Sequence, residues 1–255
     1  MVLRSPAVRP VLGLILLATF LALPTFGVTR ELTRNFPLHP DGTFELSNVN
    51  GTVRIESWDK DEVEVHAIKT SPDTASVLDL VSIDIEARPD SVTVSTRYPQ
   101  EVGVEVAIDY LVRVPRTIQL TRVSNINGSL RVVAVELVGE LRTVNGNIEV
   151  FEGSGNVHAR TTNGNVYVEL KRPRDNRGVS AETTNGSVLL AIPTDLPAAL
   201  EARCMNGNFS TDLPVLMETA QQPRLLHGRL GPGSVPIRLA TVNGTIRVVA
   251  LHSTV

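Results

Sequence analysis

Cysteine, lysine and aromatic side chains are scarce in this chain, and each scarcity closes off a class of structure or partner. Cys204 is the only cysteine, so no intramolecular disulfide is possible, and the paired-thiol spacings of zinc and redox sites are missing. Lysine occurs only at Lys60, Lys69 and Lys171, and no long basic run accompanies the formal charge of -3. A nucleic-acid or anionic-membrane partner normally leaves a basic patch, so neither is expected. Aromatics make up 4% of the residues against 42% hydrophobic overall; a core must therefore rest on Val, Ile, Leu and Ala. Sustained helical periodicity with caps is also missing, and the expectation is a chain that is nearly all β.

The one long apolar run lies at the N-terminus. Arg4 and Arg9 precede an apolar stretch from Val11 to Leu23, interrupted by Gly13 and Thr19, and Pro24-Thr25-Phe26-Gly27 follows. About 13 apolar residues are short for a bilayer span, which needs roughly 20. Residues 1–27 therefore read as a cleaved secretory signal, with an uncleaved anchor as the alternative. Their removal would take away two arginines and leave a charge of -3 - 2 = -5. No cysteine follows the run to take a lipid, and no further membrane span is expected in the mature chain. Residues 28–255 are expected to form a single β domain, located in the periplasm, the cell envelope or outside the cell.

What the chain has in abundance is one motif. Asn-Gly occurs seven times, as Asn50-Gly51, Asn127-Gly128, Asn145-Gly146, Asn163-Gly164, Asn185-Gly186, Asn206-Gly207 and Asn243-Gly244. Their spacings are 77, 18, 18, 22, 21 and 37 residues, a repeat of about 18–22 residues with one gap near twice that. The 77-residue gap has room for about four degenerate units, which the sequence does not display. Three and five residues after each Asn the side chain is apolar, except at Thr211, and four before it the column runs Leu46, Val123, Leu141, Ala159, Ala181, Ala202, Leu239. That is the period of two expected of strands with one buried face.

Polar columns are just as regular. Two residues before the Asn stand Asn48, Asn125, Thr143, Thr161, Thr183, Cys204 and Thr241; two after it stand Thr52, Ser129, Asn147, Asn165, Ser187, Asn208 and Thr245. Short hydroxyls and amides beside a turn can satisfy backbone groups that leave a ladder. The glycine would supply a positive φ, and Asn tolerates the left-handed region better than most residues. Cys204 fills a Thr slot and reads as a strand residue rather than a reactive thiol.

Two architectures fit. In an antiparallel meander each Asn-Gly closes a two-residue hairpin. In a β-solenoid each marks a corner, and equivalent residues stack about 4.8 Å apart. Like-on-like identity of whole columns favours the solenoid, with loops such as 171–178 projecting from one side. Regular repeats are expected over 117–251. Residues 56–116 are β-rich but less regular, with strands in "DEVEVHA" and "SIDIEA" and a longer one from Val102 to Val114 that ends at Pro115.

The stretches "LSNVNGTVRIESWDKDEVEVHAIK" and "AIDYLVRVPRTIQLTRVSNINGSLRV", with the Thr-x-Asn-Gly repeats to "ATVNGTIRVVAL", resemble the bacterial putative-adhesin family of exported β-repeat domains. The likeness covers about residues 37–251. It implies a right-handed β-helix-like fold and an envelope or surface location. It brings no catalytic residues with it.

Chemistry is hard to find in the sequence. His39, His66, His158, His227 and His252 are scattered without ligand spacing, and no phosphate loop or nucleophile elbow occurs. "EGSGN" at 152–156 is a turn. A β-helix polysaccharide-degrading enzyme would need carboxylates clustered on one outer face. The column four after each Asn holds Arg54, Arg131, Glu149, Tyr167, Leu189, Ser210 and Arg247, a single acid. Asp59, Asp61, Glu62 and Glu64 suit a solvated strand face. No catalytic, cofactor or metal site is expected, and no ligand-binding residues can be assigned. The leading reading is a non-enzymatic binding or scaffold protein, with an envelope protein, a cell-wall polymer or a surface glycan as partner. A carbohydrate-active enzyme and an envelope-stress accessory protein are the alternatives.

Overall fold

Alternation of β-branched residues with polar ones sets the strands, and the repeat sets how they stack. A computed structural model describes residues 27–100, 103–171, 178–217 and 224–251. The first 26 residues, which carry the expected signal, lie outside that set, as do residues 172–177 of the expected 171–178 loop. The strands are β1 (Val28–Pro37), β2 (Thr43–Ser47), β3 (Val53–Trp58), β4 (Glu62–Ser71), β5 (Ser82–Arg88), β6 (Ser91–Arg97) and β7 (Ala107–Pro115). The repeat region follows with β8 (Gln119–Ser124), β9 (Leu130–Val133), β10 (Leu137–Arg142), β11 (Ile148–Gly153), β12 (Val157–Asn163), β13 (Val166–Leu170), β14 (Val179–Asn185) and β15 (Val188–Ile192). The chain closes with β16 (Ala198–Asn206), β17 (Phe209–Thr211), β18 (Leu216–Met217), β19 (Leu225–Leu230), β20 (Val235–Asn243) and β21 (Ile246–Ala250).

Each coil is a strand, an Asn-Gly corner, a second strand and a return loop. First strands build an 11-stranded sheet in the order β18-β19-β16-β20-β14-β12-β10-β8-β2-β6-β5. Second strands build a 10-stranded sheet in the order β1-β4-β7-β3-β9-β11-β13-β15-β21-β17. Neighbouring coils pair in parallel and in register, as Thr161↔Thr183 with Asn163↔Asn185, and Val166↔Val188. A hairpin meander would pair the two arms of each motif antiparallel, so the fold is a flattened β-solenoid. The apolar columns meet between the sheets: Leu141, Ile148, Val150, Val166, Val168, Leu190, Leu239 and Val248 are all buried. Loops fall on the side opposite the corners, where Ala134, Glu152 and Asn156 take positive φ values of 57°, 56° and 52°.

The stacking order is not the chain order. The coil at Asn243 inserts between those at Asn185 and Asn206, and the coil at Asn50 lies between β6–β7 and the coil at Asn127. Both irregular coils thus end up outermost, with one coil neighbour instead of two. One is β6–β7, which has no Asn-Gly; the other is β16–β17, which carries the column exceptions Cys204 and Thr211. An end coil must match only one neighbour, so departures from the pattern cost less there.

Both long gaps in the repeat differ from expectation for the same reason. The 77-residue gap holds the single coil β6–β7 together with the antiparallel strands β4 and β5, not four coils. The gap of 37 holds the antiparallel hairpin β18–β19 and then the returning β20, not a missed coil. The long strand expected from Val102 begins at Ala107. A short 3-10 helix at Ala75–Leu80, which no periodicity announced, plugs the N-terminal end with buried Leu78 and Val81. Lys69 reaches across the plug to the carbonyls of Leu78 and Val81, and burial draws its pKa down. Arg30 on the edge strand β1 pairs with Asp79, a charged guard against further strand pairing.

Beside that plug lies a buried polar knot. Thr96 Oγ1 donates to Asn48 Oδ1 at 3.0 Å and lies 2.7 Å from Tyr110 Oη. Burial pushes the Tyr110 phenol up to about 12 from 10.0. The folded chain therefore keeps a proton that the unfolded chain loses above pH 10, so stability falls as pH rises through that window. We expect urea denaturation to show a loss of roughly 2–3 kcal/mol between about pH 10 and pH 12 from this group. Tyr110→Phe should flatten that alkaline limb while costing about 1 kcal/mol near neutrality. An unchanged limb in the variant would exclude Tyr110 as its source.

Candidate functional site: the Asn-Gly corner and the two outer faces

At each corner the chain passes between sheets, and two backbone groups leave the ladder. Gly N–H still donates to the next coil, as Gly146 N to Asn163 O at 2.9 Å and Gly164 N to Asn185 O at 3.0 Å. The Gly carbonyl and the following N–H instead find side chains. Thr143, Thr161, Thr183 and Thr241 donate their hydroxyls to Gly128, Gly146, Gly164 and Gly186 carbonyls at 2.8–3.0 Å. Asn125 Nδ2 does the same for Gly51 at 2.7 Å, and Cys204 Sγ reaches Gly244 O at 3.3 Å. Residues two after the Asn receive the N–H, as Asn165 N to Asn147 Oδ1 and Ser187 N to Asn165 Oδ1, both at 2.8 Å. The column two before the Asn is buried, Thr143 and Thr161 being 2% exposed. A free hydroxyl there would carry a desolvation cost; bonded, it closes the backbone's accounts.

Asn side chains run along the exposed edge of the corner as a ladder. Nδ2 of Asn127, Asn145, Asn163, Asn185, Asn243 and Asn206 donates to Oδ1 of the Asn in the neighbouring coil, every bond 2.8 Å long. The chain of amides starts at Asn206 and ends on Asn50.

Glycine is required here for two reasons, the expected positive φ and a close approach between coils. A Cβ on Gly128, Gly146, Gly164, Gly186, Gly207 or Gly244 would lie 1.7–2.2 Å from the glycine carbonyl oxygen of the adjoining coil. Gly51, Gly128, Gly164, Gly186, Gly207 and Gly244 also take φ values of 110° to 154°, which side chains rarely adopt, whereas Gly146 takes no positive φ. Close stacking of one corner on the next excludes every side chain. Gly51 meets the Ile108 carbonyl in the same way, at 2.2 Å.

With the constant columns used inside or at the corner, the variable ones form two outer faces. On the 10-stranded sheet, Phe151 and Tyr167 lie 5.0 Å apart between ring centroids, and the Arg131 guanidinium sits 4.2 Å above Phe151. Leu189 and Val249 continue this half-buried strip. Burial raises the Tyr167 phenol, helped by the Glu169 carboxylate. Sequence alone did not single out this pair, because the two rings sit 16 residues apart at different offsets from their Asn. Superposing the columns four and six after the Asn would have revealed it.

Among the described residues, shallow grooves indent the faces. One of about 470 Å³ crosses β16, β19 and β20 and contains Glu201, His227, Arg229 and Arg238. Another, of about 130 Å³, lies beside the corner among Arg160, Glu182, Arg203 and Met205. Each has one carboxylate. The third, of about 430 Å³, includes Glu56, Asp109 and His66. Register sets Glu56 opposite Arg113, four residues from Asp109 along β7, roughly 13 Å at the rise of a strand. Glycoside hydrolysis uses pairs about 5–9.5 Å apart. Both acids are also engaged, Asp109 by Thr52 N and Oγ1 at 2.7 Å and Glu56 by Arg54. Among the described residues no cluster of three or more His, Cys, Asp or Glu could hold a metal. His66 contacts Thr33 at 2.9 Å. Asp59 pairs with Arg116, and Glu64 with Arg113. Cys204 is buried, and burial raises its pKa, the reverse of an activated thiol.

Two substitutions separate the corner's terms. Thr161→Val keeps the shape but orphans the Gly146 carbonyl, and should cost about 1–3 kcal/mol in chemical denaturation. Gly164→Ala puts a Cβ 2.1 Å from the Gly146 oxygen and should cost more than Thr161→Val, because coils must separate to admit it. Equal stability of Gly164→Ala and the parent would show that the corners do not stack this closely.

Residues 118–249 match the family described as Toastrack DUF4097, just over half of the chain. No curated protein matches the sequence. Among solved structures, one described as a putative cell adhesion protein from Clostridium sporogenes superposes with a TM-score of 0.52 at 11% identity, covering 88% of this chain and all of that one. A putative adhesin from Bacteroides fragilis gives 0.40 at 10% identity over 87% and 97% of the two chains. A putative lipid binding protein from Parabacteroides distasonis gives 0.31 at 10% identity over the same shares. At such identities the first supports the shared fold alone, and the other two fall below the similarity that would support even that. With its in-register Asn-Gly coils and this match across the repeat region, the chain belongs to the Toastrack DUF4097 family.

Proposed function

We propose that the protein is an exported, non-enzymatic binding or scaffold module of the cell envelope or its exterior, adhesin-like in the broad sense. The observation that carries this reading is the division of labour among columns. Residues that recur across the seven Asn-Gly coils are spent on the core, the corner and the backbone. Those that vary all face outward, onto two extended faces with shallow grooves. Such a surface suits recognition of an extended partner, an envelope protein, a cell-wall polymer or a surface glycan. Residues 1–27 agree with export through their charged start and short apolar run.

Immobilised protein covering residues 28–255 is expected to retain a component of envelope extract or to score on a glycan array, without altering it. Chemical conversion of a retained glycan would overturn the non-enzymatic reading, and silence in both assays would remove the binding one. N-terminal sequencing of the protein made in a bacterial host should find a chain starting near Val28; one that keeps Met1 in the cytoplasm would refute export.

A further inference from the structure

We propose that the outer face of the 11-stranded sheet binds a linear anionic polysaccharide, laid along the stacking axis with one end in the His227 groove. This rests on the binding reading above and supplies its face and ligand class. Outward positions of β8, β10, β12, β20, β16 and β19 carry Arg122, Arg142, Arg160, Arg238, Arg203 and Arg229, all exposed. The same strands with β14 present three outward acids, Glu140, Glu182 and Glu201. Six minus three leaves +3 on this part of the face; β2, β6 and β5 add Arg88 and Arg97 against Glu45, Asp84 and Glu86, so the whole face stands at 8 - 6 = +2 in a chain whose formal charge is -3. No basic run in the sequence announces it, because successive coils contribute single arginines.

Register gathers the arginines into adjoining rows: Arg142, Arg160 and Arg203 share one with Glu182 and Ala240, and Arg122 and Arg238 share the next with Glu140 and Glu201. Arg142 pairs with Arg160 in the next coil, and Glu201 lies between Arg238 on one side and His227 on the other. Neighbouring strands are about 4.8 Å apart, so positive groups recur along the axis at small multiples of that distance. A polymer with an anion on each sugar meets them in succession. Arg122 is held by Glu140 at 3.0 Å, but the pairs further along are looser and exposed: Arg160–Glu182 at 3.8 Å, Arg238–Glu201 at 3.9 Å and Arg203–Glu201 at 4.0 Å. Pairs of that kind hold their partners weakly, and one carboxylate serves two arginines, so an incoming anion can take its place.

Shape favours a narrow chain over a membrane. Ser180, Ala199 and Ala240 occupy outward positions between the arginines, leaving a low floor. Gly233, whose Cβ would lie 2.8 Å from Arg229 Cδ, leaves that side chain room at the groove's rim. Exposed Met205, Val242 and Leu216 stand only at this sheet's margins, at strand ends near the corner and on the edge strand β18, and vesicles test whether they anchor a membrane.

The test measures binding of residues 28–255 to polygalacturonate and poly(glycerol phosphate), with neutral dextran and phosphatidylglycerol vesicles as the other arms. At least one polyanion should bind, weakening about tenfold or more as salt rises from roughly 0.05 to 0.5 M. Arg160→Gln/Arg203→Gln/Arg238→Gln should reduce affinity about tenfold or more. Arg54→Gln/Arg247→Gln on the opposite face should leave it unchanged, with thermal unfolding confirming that both variants fold. Should the triple variant not fold, the single substitutions Arg160→Gln and Arg238→Gln must each weaken binding. Unchanged binding by folded variants of this face overturns the proposal, as does retention by vesicles alone or failure to bind either polyanion. If the parent meanwhile binds a neutral glycan or an envelope protein, the general binding reading survives and only the face and ligand class assigned here are lost.

Discussion

Corner stacking is the constraint on which the rest of this structure depends. One glycine must approach the carbonyl of the next so closely that no Cβ fits between them. That approach fixes the registers of both sheets together, since the corner joins a strand of one to a strand of the other. Once the corners are in line, Leu141 must lie over Ala159, and Ile148 over Val166. A slip of one residue would turn every apolar column outward, and the glycine requirement forbids it independently of the core.

The cost of so tight a corner is a pair of backbone groups taken out of the ladder, and the polar columns exist to meet it. Thr161 and its equivalents are buried side chains whose hydroxyls complete the Gly carbonyls; Asn165 and its equivalents complete the N–H groups on the outer side. Outside them the Asn amides bond from coil to coil. Cys204 keeps the place with a weaker donor, and it sits in the outermost coil of the ladder. The motif is thus spent on the core, the corner and the backbone, and the coils differ in their outward residues.

The two faces illustrate what a solenoid does with that freedom. Each coil contributes a few outward residues, and a surface arises only when several coils are laid side by side. Phe151, Tyr167 and Arg131 become one cluster, and six separate arginines come to share one outer face. The end coils, plugged by the 3-10 helix and β1 on one side and by the β18–β19 hairpin on the other, set how far each face extends.

By itself the sequence determined the local state of almost every residue in the repeats. Period-two columns pointed to the strands and Asn-Gly to the turns, and identical stacked positions favoured the parallel solenoid over the hairpin meander, because like-on-like packing is a local demand repeated in each coil; the choice between the two was made only by the parallel registers. Tertiary structure alone decided the order of the coils, with Asn243 inside Asn206 and Asn50 inside β6–β7, since any coil with the motif presents the same edge and sequence position carries no preference among them. It also added a second reason for the glycines, since contact with another coil excludes a Cβ even at Gly146, which takes no positive φ. The charged and aromatic faces belong to the same class. Their members are distant in sequence, and only parallel register brings them together.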